Sequence, residues 1–161
     1  MTPETDAVLA RALHRLTTDT LGWLGDHVGD DPDEPRVDAD ALAGMRDLVE
    51  RSLPAEPDAG SLPAVAGVFV DVQWWLGACD DDEVDLHVAV KTQESVASHL
   101  LDLPDDQRGR LVELLAELAA AERHEGRRYE LRVFAYECGL VDDEAQDEEP
   151  DHRQWVRPED R

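Results

Sequence analysis

The chain has no isoleucine, no asparagine and a single lysine, Lys91, so arginine supplies every other cation. A GC-rich source gives such a skew, and salt adaptation gives a similar one; neither speaks to function. Cysteine is nearly as scarce. Cys79 and Cys138 are too few for a disulfide framework, and no CxxC or Cys/His spacing accompanies them. They read as buried free thiols in a reducing cytosol. No apolar run approaches the roughly 18 residues of a membrane span. The opening MTPETDAVLARALHRL is acidic at once and lacks the basic region of a secretion signal. The expectation is a cytoplasmic protein without membrane attachment.

Positive charge is the other shortage. Fifteen Lys+Arg stand against thirty-nine Asp+Glu, a net charge of −24. Direct nucleic-acid binding needs clustered cations to neutralise phosphates, and an anionic membrane surface needs the same. Both classes are excluded. What is present is a hydrophobic content of 42% in 161 residues, enough for one packed core despite the charge.

Helical spacing dominates the chain. Leu9, Leu13, Leu16 and Leu24 mark a helix over 4–28, with Pro3 and Glu4 at its start and Gly25 and Gly29 as stops. The stretch 30–35, with its two prolines and four carboxylates, reads as a solvated linker. Leu42, Met45, Val49 and Leu53 mark a helix over 39–53, capped by Asp38 or Asp40. Segment 62–78 carries two patterns. Val68, Val70, Val72 and Trp74 alternate as a strand would, whereas Val65, Phe69, Val72, Leu76 and Cys79 follow a helix face. Ser61 and Pro63 favour the helix, and its nearly all-round apolarity, broken only by Asp71 and Gln73, places it centrally.

Segment 83–103 repeats the ambiguity. Val84, Leu86, Val88 and Val90 alternate, yet most apolar positions fall on one arc of a helix, with 80–83 as the expected cap. Residues 105–125, capped by Asp105 or Asp106, are helical through Leu111, Leu114, Leu115 and Leu118. A last helix over 127–138 ends at Gly139, with Leu140 closing a Schellman-type stop. Its apolar residues lie on opposite faces, which places it between two layers. The fold expected is all-α, a roughly six-helix single-domain bundle over 1–141. The alternative is α+β, with a small three-stranded sheet from 67–76, 83–91 and 128–136.

From Asp142 the composition changes: DDEAQDEEPD holds seven carboxylates in ten residues. Residues 142–161 therefore read as an acidic, flexible C-terminal tail that the domain folds without. Trp155 sits beyond that run, and an exposed tryptophan there either folds back or anchors to a partner. Trp74 and Trp75 are adjacent and on a helix point about 100° apart, so that one can be core while the other reaches an edge or pocket. These three tryptophans are the candidate partner-binding residues.

Cations concentrate in one quarter of the chain, with Arg123, Arg127, Arg128 and Arg132 flanking Gly126. Internal pairing with carboxylates explains them. The functional alternative is a small anion site where free N–H groups at a helix start meet arginines. Catalytic chemistry is not legible. HExxH, P-loop, GxGxxG and GxSxG motifs are all missing from the sequence. Glu83 and His87 lie one helical turn apart, too little for a metal centre, and no cofactor is implied. The expected function is a non-enzymatic acidic interaction protein, of inhibitor, immunity or regulatory type, docking on a basic protein. The alternative is a small-ligand enzyme or binding protein with a pocket near the Trp pair and the arginine island.

Overall fold

Six helices carry the fold: α1 (Pro3–Gly25), α2 (Ala39–Ser52), α3 (Leu62–Ala78), α4 (Leu86–Leu101), α5 (Asp105–Ala121) and α6 (Glu125–Glu137). A short 3-10 turn, Pro158–Asp160, follows. The computed structural model describes residues 2–29, 31, 33–34, 36–143, 148–151 and 153–161. The chain is all-α, a six-helix bundle. Among the described residues the only β pairing is an isolated antiparallel bridge between Val37 and Val84. The alternative sheet is therefore not formed: 67–76, most of 83–91 and 128–136 are helical.

α3 is the central helix and packs against all five others. It crosses two apolar clusters. Leu62, Val65, Phe69 and Val70 meet the first halves of α1, the second half of α4, and α5 and α6. Val72, Trp75 and Leu76 meet the end of α1, all of α2 and the start of α4. Phe69 stands edge-on to Phe134, with ring centroids 5.6 Å apart at 87°, a geometry worth about 1 kcal/mol beyond burial. The helix pattern won over the alternating one because α3 is buried on every side, where a strand pattern of single-face burial has no meaning.

Buried threonines keep the apolar faces intact. Thr17, Thr20 and Thr92 each donate their hydroxyl to the carbonyl four residues back, at 2.7 Å. Each polar group is thus satisfied within its own helix.

Three helix ends differ from expectation. α4 begins at Leu86, because Val84 joins Val37 and Asp85 becomes the cap, accepting from the N–H groups of His87 and Val88. α5 is capped by Pro104, with Asp105 and Asp106 inside its first turn. α6 starts at Glu125 with His124 as its cap, so Gly126 lies inside the first turn rather than before it. The stop of α6 forms as expected. Gly139 has φ +76, and the N–H groups of Gly139 and Leu140 donate to Tyr136 and Ala135 at 3.0 and 2.8 Å. α6 packs on α3 and α5, while Tyr136 on its far face is exposed; it does not sit between two layers.

Residues 142–161 divide in two. Asp142, Asp143, Glu148, Glu149 and Asp151 are exposed, as a solvated run requires. Residues 153–161 instead lie against the bundle. Trp155 packs on the second cluster, and Trp74 donates its indole N–H to the Arg153 carbonyl at 3.1 Å. Gln154, Trp155 and Val156 share the wall of a cleft with α2 and α3.

Candidate functional site

One arginine of the island, Arg127, meets a carboxylate buried in the bundle. Asp71 and Glu130 are the two carboxylates buried in the bundle among the described residues, at 4% and 7% exposure. Asp71 meets the Arg127 guanidinium at 3.5 Å and pairs with Arg161, whose side chain also lies over the Trp74 ring. Room for Arg127 comes from Gly67, one turn before Asp71. A Cβ there would stand 2.8 Å from the Arg127 Nη2 atom. Glu130 is gripped by Arg153 through two parallel hydrogen bonds of 2.9 and 3.1 Å. Arg153 reaches Glu137 at 3.1 Å as well and stacks over Tyr129.

The start of α6 does resemble an anion site, but the chain supplies the anion. Glu122 accepts the His124 N–H at 2.9 Å and the Arg127 guanidinium at 2.6 Å. The His124 ring in turn accepts the Arg127 N–H. Burial is the largest single influence on the Glu122 carboxyl and pushes it up, yet Arg127 and the N–H groups of His124 and Arg123 together hold it below the usual range. Arg128 lies within 3.5 Å of the Glu122 carbonyl, and Arg123 and Arg132 are exposed. The four arginines therefore do not converge on one empty space.

Glu130 behaves differently from its partner. Burial raises its carboxyl above the ordinary value despite Arg153, while the hydrogen bond from Glu130 holds Arg153 more firmly protonated. Arginine is charged in either case. The direction that matters is that of Glu130, where desolvation outweighs pairing.

The tryptophans are split by the fold. Trp74 is 3% and Trp75 4% exposed, so neither ring stands out from the surface. Trp74 lines a cleft between α4 and α6. Trp75 and Trp155 line a second one, about 440 Å³ in volume, between α2, the end of α3 and residues 154–160. Asp40, Asp80, Glu83, Arg51 and Arg157 stand around that second cleft.

The cleft opens beside an acidic pole that no single segment reveals. The bridge between Val37 and Val84 clamps the α1–α2 linker against the α3–α4 loop. It is reinforced by the Asp38 N–H on the Glu83 carbonyl at 2.7 Å and the Asp85 N–H on the Arg36 carbonyl at 2.9 Å. Residues 31–40 and 80–85 thereby bring ten carboxylates together with one cation, Arg36. α2 and α4 both start here, and their positive ends soften the repulsion. Asp38 caps α2 and Asp85 caps α4, while Asp81 accepts the Leu86 N–H at 2.7 Å. Asp31, Asp33, Glu34, Asp38, Asp40, Asp80, Asp81 and Asp82 are exposed. Two apolar side chains stand out beside them: Leu86 at 69% and Val28 at 40% exposure.

The sequence carries a local signal for this pole. A Val-Asp pair precedes both α2 and α4, the valine bridging and the aspartate capping in each case. Read separately, each pair is only a helix start.

The surroundings of the two cysteines keep them protonated. Burial, the main influence, pushes the Cys79 thiol up to about 11 and the Cys138 thiol up to about 12, so neither forms a thiolate at neutral pH. Among the described residues no three His, Cys, Asp or Glu side chains are grouped to hold a metal ion. No helix among them is long and apolar enough to cross a membrane. No protein-family model, curated protein or solved structure matches this chain.

Proposed function

We propose that this protein is a non-enzymatic acidic interaction protein of the cytoplasm, docking on a basic protein surface as an inhibitor, immunity-type or regulatory partner. The observation that carries the reading is the pole, where two runs distant in sequence are clamped side by side. An even spread of carboxylates would have favoured solvent adaptation; a gathered one steers a cationic partner and repels anionic ones. Cations of the partner face Asp40, Asp80 and Glu83, and an apolar side chain enters the cleft against Trp75 and Trp155. Internal pairing of Arg110, Arg127, Arg153 and Arg161 supports the reading, since it withdraws positive charge from the outer surface. Arg127, the island's arginine held by Glu122 and Asp71, is thereby withdrawn from the alternative of an anionic small ligand.

The test is capture of partners at low and high salt, about 0.05 M and about 1 M, where screening lengths differ several-fold. Three baits are compared: the native chain, a variant with Asp33, Asp80 and Asp82 changed to Asn, and a control with Glu50, Glu56 and Glu117 changed to Gln. A basic protein retained by the native chain and the control at low salt, and lost by the pole variant, is the expected result. Equal retention by all three baits, or insensitivity to salt, refutes docking through the pole.

A further inference from the structure

The cleft between α4 and α6 is lined by a different set of carboxylates from the acidic pole and has its own chemistry. It encloses about 390 Å³, within the roughly 300–1,000 Å³ typical of small-molecule sites. α3 forms its floor through Val70, Gln73, Trp74 and Gly77, consecutive positions of one helix face. Gln73 is 5% exposed, and its Nε2 donor has no hydrogen-bond partner. A buried amide donor left alone is costly, and native proteins seldom tolerate one without a compensating group. Val90 and Phe134 supply apolar lining from α4 and α6, and Val90 is 42% exposed. The rim is negative: Glu94, Glu130 and Glu137 line the cleft together with one guanidinium, that of Arg153, which is already shared between Glu130 and Glu137.

We propose that this cleft binds a small organic cation: an ammonium group at the Glu94 and Glu137 rim, an apolar body between Val90 and Phe134, and a hydrogen-bond acceptor on the Gln73 amide. Gln73 is buried while Glu94 and Glu137 are exposed, so the cleft selects a ligand with its acceptor on the apolar body and its charge outermost. An anionic ligand meets the carboxylate rim, and a purely apolar one leaves the Gln73 donor unmet.

The probe is dansylcadaverine, a fluorescent primary amine with sulfonyl acceptors on an aromatic body, compared with neutral dansylamide on the full chain. The expected result is saturable binding at one site, with the amine preferred by roughly tenfold, the factor that about 1.4 kcal/mol provides. Glu94→Gln, at an exposed position, should remove most of that preference. Gln73→Leu should weaken both dyes while leaving the melting temperature unchanged or higher. The variant with Asp33, Asp80 and Asp82 changed to Asn should bind as the native chain does, which separates the cleft from the pole. Equal affinity for the two dyes, or a native-like response from Glu94→Gln, overturns the proposal. So does loss of binding in the pole variant.

Discussion

At the acidic pole, ten carboxylates share one arginine, and eight of them are exposed. Around α6, by contrast, Asp71 and Glu130 are buried and each is met by a guanidinium from residues 153–161. The residue types are the same and the consequences opposite. In water a carboxylate retains its hydration, so the pole's charges cost little individually and act together at long range. In the interior a carboxylate must be paired, and its partner becomes part of the fold. The same acidic composition thus builds a surface field in one region and a clasp in the other.

The largest effect expected from this contrast comes from removing residues 153–161, or from Arg153→Ala alone. Breaking a buried pair costs about 3–5 kcal/mol, which in a chain of this length lowers the melting temperature by on the order of 10 °C. A thermal melt followed by circular dichroism checks it. A shift of only a degree or two would mean that Glu130 and Asp71 are satisfied without the C-terminal segment. Neutralising Asp33, Asp80 and Asp82 should do the reverse, leaving the melt unchanged or slightly raised as repulsion falls.

Acidification separates the two regions next. Glu130 has a folded value above its ordinary one, so its folded form holds the proton more tightly than the unfolded chain does. Stability therefore rises as pH falls through the window above the ordinary glutamate value. Glu122 lies on the other side: its folded value is lowered, so its contribution is present above the ordinary value and is lost as pH drops further. A chain at −24 also loses self-repulsion on the way down. Melts between about pH 7.5 and about pH 3 should thus pass through a maximum on the acid side of neutrality. In Arg153→Ala the gain on acidification should be larger, because the unpaired Glu130 can then take up a proton. A monotonic fall from neutral pH would contradict the assignment of Glu130.

Smaller effects concern single helix positions. Asp85→Ala removes the cap of α4 and should cost about 1 kcal/mol, a melting shift of a few degrees. Gly109→Ala adds a methyl with no atom within 4 Å inside α5 and should gain about 0.5–1 kcal/mol from helix propensity. Both are read from denaturant melts of otherwise native chains.

Much of the fold is legible along the chain. The stripes of α1, α2 and α5 follow leucine spacing directly, and the Gly139–Leu140 stop of α6 is formed where its residues indicate. Gln73 and Asp71 are conspicuous as the polar residues of an apolar helix, although the Arg161 that pairs with Asp71 lies 90 residues away. The pole is legible only in pieces. Asp30 to Pro35 reads as a linker and Asp80 to Glu83 as a cap, because nothing local brings one to the other. Trp155 shows only that it must be covered or must cover something; that it turns inward follows from the bundle surface that receives it.

Composition and periodicity, then, suffice for the helical class, the central place of α3 and the excess of negative charge, because each depends on residue type or on spacing within a turn or two. Which carboxylates are paired, which reach solvent, where the arginine island discharges and which tryptophans share a cleft are decided by tertiary structure. Those properties depend on dielectric surroundings and on groups far apart in the chain, and packing five helices around α3 is what sets both.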